Sequence, residues 1–372
     1  MSVAQTAPGR DDRWESSEPQ LVAAIRDEIL AAPGQRITFA RFMQRALTEP
    51  GIGYYASSEL RPTRGGDFLT APELHPFFGR CLARFIEGAW RRAGSPSRYL
   101  VREYGAGRGA LRESAVAGLL ADGSALAGGV DWQAVDLPGR TAATDEPTDL
   151  VLANEYLDAL PVHRLRQAGG LREAWVGWQD GWFTEVLAEP SDAALEAHLA
   201  ADGIELREGQ RAETCLAAPR WVTEMAATLR QGGLLLVIDY GHEAAELYGP
   251  RRMAGSLLTY REHAVADDPF VAVGRSDITA HVDISALRRA ADDAGLAHLG
   301  QTTQARFLVG LGLGELLAEL GRDPATELPA YVDARSAVAR LLDPRHLGAF
   351  AVLAWGRDVP PRPPLPGFDT AG

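Results

Sequence analysis

The spacing of apolar residues near the start of the chain predicts amphipathic helices. Apolar side chains recur at the three- and four-residue intervals of one helix face at Leu21, Val22, Ile25 and Ile29. The same pattern repeats after Thr38, a residue type that caps helix N-termini. A third, wider apolar stripe begins near Pro76. We therefore expect a helical N-terminal arm over residues 19–95 that contributes to a lid over the site.

Farther along the chain, short apolar runs that are typical of buried strands alternate with helical segments. The predicted strands cover residues 98–104, 130–136, 149–153, 234–240 and 349–355. Helices are expected at residues 110–120 and 219–229, and Ser285 is expected to cap another helix that ends at Ala294. Parallel strands joined by helices form a doubly wound α/β sheet. We expect that sheet in a domain over residues 96–356.

The connection between the third and fourth of these strands is about 80 residues long, far more than a crossover needs. It contains two aromatic-rich runs, 174–178 and 182–186, on either side of Asp180-Gly181. An Asp-Gly pair between such runs predicts a β-hairpin. We place an insertion at about residues 163–215.

The two ends of the chain differ from the rest in composition. Residues 1–18 are poor in apolar side chains and residues 357–372 are rich in proline, so we expect a disordered N-terminus and a flexible tail. No apolar run approaches the roughly 20 residues of a membrane helix. With no targeting pattern at the start, the expected location is cytoplasmic.

Charge and cysteine content exclude several kinds of function. The formal net charge is -13, which disfavours nucleic acid as a partner. The chain has only Cys81 and Cys215, too few for a disulfide framework or a cysteine-based zinc site. An acidic surface suits a cationic partner, although it is also an ordinary solubility feature.

A glycine-rich loop, Gly105-Ala106-Gly107-Arg108-Gly109, connects a predicted strand to a predicted helix. Such a loop lets backbone N–H groups approach a polar ligand beside a helix N-terminus. The spacing is tighter than in the dinucleotide fingerprint. Asp136 follows Gly105 by 31 positions at the end of the next strand, where a carboxylate binds ribose hydroxyls. On their own, the glycines are also compatible with a tight turn and Asp136 with a turn former.

Several separate blocks, in a fixed order over residues 37–356, resemble the MidA-like class I methyltransferases, a family that depends on S-adenosyl-L-methionine. Mitochondrial complex I assembly-factor type protein arginine methyltransferases belong to it. The blocks are Gly53-Tyr54-Tyr55, residues 66–73, Glu103–Gly109, residues 153–162, Ile238–Gly241, Thr259–Arg261 and Asp277–Asp283. The chain departs from the mitochondrial members between Gly109 and Asn154, where it is shorter and Asp136-Leu137-Pro138 replaces their acidic strand end.

The resemblance implies an α/β class I methyltransferase fold, Rossmann-like and mostly parallel, with a helical N-terminal arm and a hairpin-containing insertion. It also implies S-adenosyl-L-methionine as cofactor, bound by Asp67, Thr70, Glu103, Gly105, Gly107, Gly109, Asp136 and Asn154. Methyl transfer needs an oriented nucleophile and no metal. We expect Glu155 and Asp158 to face a cationic substrate, an arginine of a protein. His281 and Asp283 are candidates for a base and its orienting partner.

Other interpretations stay open. The same fold also methylates small molecules, and a non-catalytic assembly factor would bind a partner protein instead. A dinucleotide oxidoreductase fits the loop spacing least. Asp67, Glu73 and Asp158 are alternatively helix caps, and His281 is alternatively a buried structural histidine. Asp239, at the end of a buried strand, needs a polar partner. The oligomeric state is open, with a homodimer among the options.

Overall fold

The structure is a computed structural model that describes residues 13–14, 16–57, 70–136, 144–261 and 264–368. The described part contains twelve α-helices: α1 Pro19–Ala31, α2 Phe39–Thr48, α3 Ala71–Leu74, α4 Phe77–Arg92, α5 Ala110–Ala121, α6 Ala194–Ala201, α7 Ala217–Thr228, α8 Ala244–Leu247, α9 Ile284–Asp293, α10 Gln304–Gly310, α11 Leu313–Arg322 and α12 Leu328–Leu341.

It also contains sixteen strands: β1 Arg36–Ile37, β2 Tyr99–Tyr104, β3 Val130–Val135, β4 Thr148–Asn154, β5 His163–Gln167, β6 Leu171–Gln179, β7 Trp182–Ala188, β8 Arg211–Thr214, β9 Leu229–Asp239, β10 Gly241–His242, β11 Leu258–Arg261, β12 Ala264–Ala266, β13 Asp277–Thr279, β14 Val282–Asp283, β15 Ala297–Thr303 and β16 Ala351–Gly356. The chain divides into two compact units. The first unit comprises Met1–Phe68, Ala159–Ala218 and His242–Ser285, and the second comprises Leu69–Asp158, Pro219–Gly241 and Ala286–Gly372.

The second unit is built on a six-stranded sheet in the order β15-β16-β9-β4-β2-β3. The neighbours β3, β2, β4 and β9 run parallel, whereas β16 pairs antiparallel with both β9 and β15. Every residue of β4 and β16 is buried, which explains the apolar centre of β4, residues 150–153, and the apolar sequence of β16. The doubly wound α/β prediction is confirmed. The single reversed strand β16 had no signal in the sequence.

The first unit contains a five-stranded antiparallel sheet in the order β1-β6-β5-β8, with β7 paired to β6. The predicted hairpin is confirmed: β6 and β7 flank Asp180 and Gly181, whose φ angles of 52° and 78° suit an Asp-Gly turn. Helices α1 and α2 form as expected, and the Thr38 hydroxyl accepts the N–H of Arg41 at 3.1 Å. The predicted bounds of the domains and of the insertion stay predictions.

Two sequence-based expectations about local structure need correction. Ser285 lies inside α9, and its hydroxyl instead accepts the N–H of Ala244, the first residue of α8. The proline-rich tail is packed as far as it is described: Leu365 is buried, and the ring of Phe368 lies 5.2 Å from that of Phe307. Helices α10 to α12 were not predicted. Residues 1–12 of the expected disordered N-terminus lie outside the described residues.

Candidate functional site

The glycine loop of the second unit has the backbone conformation that glycine favours. Gly105, Gly107 and Gly109 have φ angles of 71°, 53° and 81°, and α5 begins at the next residue, Ala110. A Cβ atom built on Gly109 would meet nothing within 4 Å, and one on Gly107 only the Gly105 carbonyl oxygen at 4.0 Å. The loop therefore leaves open space beside a helix N-terminus. This space suits the polar groups of S-adenosyl-L-methionine.

Two carboxylates lie close to this loop: Glu103 belongs to β2, which precedes the loop, and Asp136 follows the neighbouring strand β3. Glu103 is 4% exposed, and its Oε2 accepts the indole N–H of Trp132 at 2.8 Å. Burial raises the pKa of Glu103 to about 7, opposed by the Trp132 hydrogen bond, while the nearby charge of Asp136 adds to the rise. The N–H of Gly105 donates to the carbonyl of Val135 at 3.0 Å, so Asp136 follows directly beside the loop. Its role as the ribose-binding acid stays a prediction.

Glu155, in the segment directly after β4, combines an uncommon backbone conformation with a buried carboxyl group. Glu155 has a φ of 50°, in the left-handed region that a non-glycine residue rarely adopts. Its Oε1 accepts the N–H of Ala71 at 2.8 Å and the side-chain amide of Asn154 at 3.1 Å. Among the described residues, the buried Oε2 of Glu155 and the buried Oδ1 of Asn154 have no hydrogen-bond partner. Two buried acceptors that need donors therefore lie next to each other.

Burial has a large effect on the protonation of Glu155. It raises the pKa of this carboxyl to about 8, against the hydrogen bonds from Ala71 and Asn154, and the negative charges of Asp239 and Glu73 add to the rise. The side chain is therefore mostly protonated at neutral pH. A cation that approached Oε2 would stabilise the ionised form and lower the pKa again.

Backbone N–H groups supply the polar partners that Asp239 requires at the buried end of β9. Its Oδ2 accepts the backbone N–H groups of Tyr156 at 3.1 Å and Leu157 at 2.7 Å, and its Oδ1 accepts that of Tyr240 at 2.8 Å. The backbone N–H of Asp158 also donates to this carboxylate. Although these bonds favour ionisation, burial raises the pKa of Asp239. Asp239 thus holds the loop that carries Glu155 and Asp158. From the sequence, only its need for a polar partner was predicted.

The remaining predicted residues of this site are placed as follows. Asp67 lies outside the described residues. Thr70 directly precedes α3, and its side chain bonds Glu73, which lies in α3 near the charge of Arg108 in the glycine loop. Asp158 is partly buried on the loop held by Asp239. The cofactor and substrate roles of these residues stay predictions.

His281 and Asp283 belong to the first unit, and each has a different partner from the one we expected. The Nδ1 of His281 lies 3.1 Å from the guanidinium of Arg252, and the Oδ2 of Asp283 lies 3.0 Å from Nε2 of the buried His198. Burial is the largest cause that lowers the pKa of His281, and together with the neighbouring Arg252 and His242 it brings the pKa to about 3. So weak a base is poorly suited to general base catalysis near neutral pH. This geometry favours structural roles for His281 and Asp283.

Among the residues that the structure describes, no group of three or more His, Cys, Asp and Glu side chains is arranged to hold a metal ion. Among those same residues, no helix has the length and apolar character needed to span a membrane.

A parallel sheet with one reversed strand and a glycine loop at a helix N-terminus defines a class I methyltransferase. The family model described as "Putative S-adenosyl-L-methionine-dependent methyltransferase" matches residues 111–302, and the chain belongs to this family. The MidA-like resemblance is confirmed, and the protein is an S-adenosyl-L-methionine-dependent methyltransferase.

Solved structures and curated relatives agree with this assignment. A Burkholderia thailandensis protein crystallised with S-adenosyl-homocysteine is 34% identical, with a TM-score of 0.85 and coverage of 98% of both chains. The mitochondrial protein arginine methyltransferase NDUFAF7 homolog of Drosophila melanogaster is 29% identical over 94% of this chain and 87% of its own. The mitochondrial protein arginine methyltransferase NDUFAF7 of Danio rerio is 28% identical over 78% and 76%. The cofactor prediction is confirmed.

The predicted cytoplasmic location is corrected by the same comparison. The curated relatives from fly, zebrafish and human all carry a mitochondrial label, which conflicts with that expectation. The prediction of a cytoplasmic location is therefore wrong.

Proposed function

We propose that this methyltransferase transfers the methyl group of S-adenosyl-L-methionine to an arginine side chain of a protein. The names of the curated relatives support this acceptor. The observation that carries the proposal is the buried Oε2 of Glu155, which has no partner among the described residues. A guanidinium group offers five N–H donors in a planar fork and matches such a carboxylate.

In this proposal the residues of the second unit have distinct roles. Glu103, Gly105, Gly107, Gly109 and Asp136 bind the cofactor, together with Asp67, Thr70 and Asn154. When bound, the cofactor supplies an electrophilic methyl group on a sulfonium. Glu155 accepts N–H donors of the guanidinium through Oε2 and orients the attacking nitrogen, and Asp158 adds negative charge beside it. As the new N–C bond forms and the C–S bond breaks, that nitrogen loses a proton, which Glu155 is placed to accept.

The pKa of Glu155 makes a specific contribution to this reaction. A carboxyl with a pKa of about 8 in the free protein ionises when the cationic guanidinium arrives, because the positive charge favours the carboxylate. Binding of the acceptor should therefore release a proton near neutral pH. A group with a pKa close to the working pH is also well matched to proton transfer.

The proposal is tested by incubating the protein and methyl-labelled cofactor with lysate of the host organism. We expect label in a protein band, and acid hydrolysis of that band should yield labelled methylarginines. Glu155→Gln should lower the transfer about 100-fold or more while binding of S-adenosyl-homocysteine, measured by calorimetry, is retained. Glu319→Gln, which alters an exposed carboxylate of α11, is the matched control and should transfer methyl groups normally.

Three results would contradict the proposal. Label only in low-mass material would indicate a small-molecule acceptor, and label in a residue other than arginine would exclude the guanidinium. Full activity of Glu155→Gln would remove Glu155 from the reaction.

A further inference from the structure

Asp239 has the hydrogen bonds of a loop clamp. The carboxylate is 3% exposed and accepts the backbone N–H groups of Tyr156, Leu157, Asp158 and Tyr240. Hydrogen bonds from backbone N–H groups to an ionised carboxylate are roughly twice as strong as neutral ones. One side chain on β9 therefore fixes the course of the chain just after β4.

The loop that Asp239 holds needs such support. It starts at Glu155, whose φ of 50° is costly for a residue with a side chain. The N–H of Glu155 also donates to the carbonyl of Ile238, the residue before Asp239, at 2.9 Å. Without the carboxylate, the N–H groups of Tyr156 and Leu157 would lose their acceptor in a buried place, and this costs free energy.

The same loop contacts the cofactor-binding glycines. A Cβ atom built on Gly105 would lie 2.8 Å from Cδ2 of Tyr156, so the Tyr156 ring packs directly against the glycine backbone. The ring is held by two aromatic neighbours, Tyr104 at 6.0 Å and Trp221 at 5.6 Å between ring centroids. A displaced Tyr156 would leave Gly105 without this contact.

We propose that Asp239 is a positioning residue for cofactor binding: by holding the 155–158 loop, it keeps Tyr156 packed against Gly105 and so keeps the glycine loop in its ligand-binding conformation. Asp239 acts through Tyr156 and does not itself need to touch the cofactor. This inference concerns the cofactor and stands whether or not the acceptor is an arginine.

Calorimetric titration with S-adenosyl-homocysteine tests the proposal on Asp239→Asn and on a matched control, Asp149→Asn. Asp149 is also a buried carboxylate of the second unit and accepts the N–H of Leu100 at 2.7 Å, but it lies at the opposite end of the sheet, near the start of β4. We expect Asp239→Asn to bind at least ten-fold more weakly and Asp149→Asn to bind within about two-fold of the unmodified protein, even if both lose stability. Unchanged binding by Asp239→Asn, or equal weakening in both variants, would overturn the proposal.

A spectroscopic measurement separates positioning from general destabilisation. With 5-fluorotryptophan incorporated, the ¹⁹F resonance of Trp221, assigned by its absence in Trp221→Phe, reports the ring next to Tyr156. It should shift in Asp239→Asn and stay in place in Asp149→Asn. Tyr156→Leu provides a second route if Asp239→Asn does not fold, because it removes the ring and leaves Asp239 intact. It should weaken S-adenosyl-homocysteine binding by a similar factor, and unchanged binding would refute the proposed path.

Discussion

The arrangement around His281 predicts that this histidine opposes folding in mild acid. The imidazole Nδ1 accepts a hydrogen bond from Arg252 at 3.1 Å, and the same guanidinium lies 2.7 Å from Nε2 of His242. Both rings are therefore neutral, and a proton on His281 would face the charge of Arg252 at close range. Burial is the largest cause that lowers the pKa of His281 to about 3, below its ordinary value of 6.5.

The sign follows from proton binding in the two states. Below pH 6.5 the unfolded chain takes up a proton that the folded protein refuses until about pH 3, so the contribution of His281 to stability falls as the pH drops through this window. Buried carboxyls with a raised pKa, such as Glu155, change stability in the opposite direction, so a comparison of variants isolates the histidine. At pH 5 the unfolded histidine lies 1.5 pH units below its pKa, and at 1.36 kcal/mol per unit the loss relative to pH 8 is about 2 kcal/mol.

Urea unfolding at pH 8 and pH 5 measures this loss. The variant His281→Gln keeps an acceptor for Arg252 but does not titrate, so from pH 8 to pH 5 its free energy of unfolding should change by about 2 kcal/mol more favourably than that of the unmodified protein. His346→Gln, a change at an exposed histidine, should leave the pH dependence unaltered. An identical pH dependence in His281→Gln and the unmodified protein would refute the reasoning.

Two further substitutions test the second unit. Gly105→Ala should weaken S-adenosyl-homocysteine binding by roughly ten-fold or more, since the residue has a φ of 71° and its new Cβ would press on Tyr156; calorimetry that gave unchanged binding would contradict this. Phe85→Ala should lower the free energy of unfolding in urea by about 3–5 kcal/mol, because the ring is fully buried and packs 5.6 Å from Phe307. Phe85→Leu should cost clearly less, and equal losses would argue against cavity formation as the cause.

Most of the secondary structure could be predicted because its signals are local. The strand before the glycine loop, the Asp-Gly hairpin and the capped helix after Thr38 each depend on residues within a few positions of one another. Ser285 shows where local reasoning fails. Its sequence context is that of a helix cap, but its hydroxyl accepts the N–H of Ala244, 41 positions away. No periodicity in the sequence encodes such a contact.

For the candidate site, the sequence indicated which residues are present but not which residues they contact. The glycines and the acidic residues after each strand are visible in the sequence, because ligands of open α/β sheets bind at the carboxyl ends of the strands. The hydrogen-bond partners of these residues are not visible in the sequence. That Glu155 bonds Ala71, and that His281 pairs with Arg252 instead of Asp283, depends on packing between distant segments. For Tyr156, the sequence offered only its place in residues 153–162, one of the blocks that resemble the methyltransferase family.

The hydrogen bonds of Asp239 also explain how the carboxyl ends of β4 and β9 stay together although a long insertion separates these strands in the sequence. Strands β4 and β9 are neighbours, with Asn154 opposite Ile238, a residue 84 positions later in the sequence. The chain passes from the second unit into the first after Asp158 and returns at Pro219. Because the carboxylate of Asp239 bonds the loop that ends at Asp158, the last residues before this departure are fixed to the sheet by the first strand after the return. Changes of length within the insertion therefore need not alter the geometry of Glu155 or of the glycine loop.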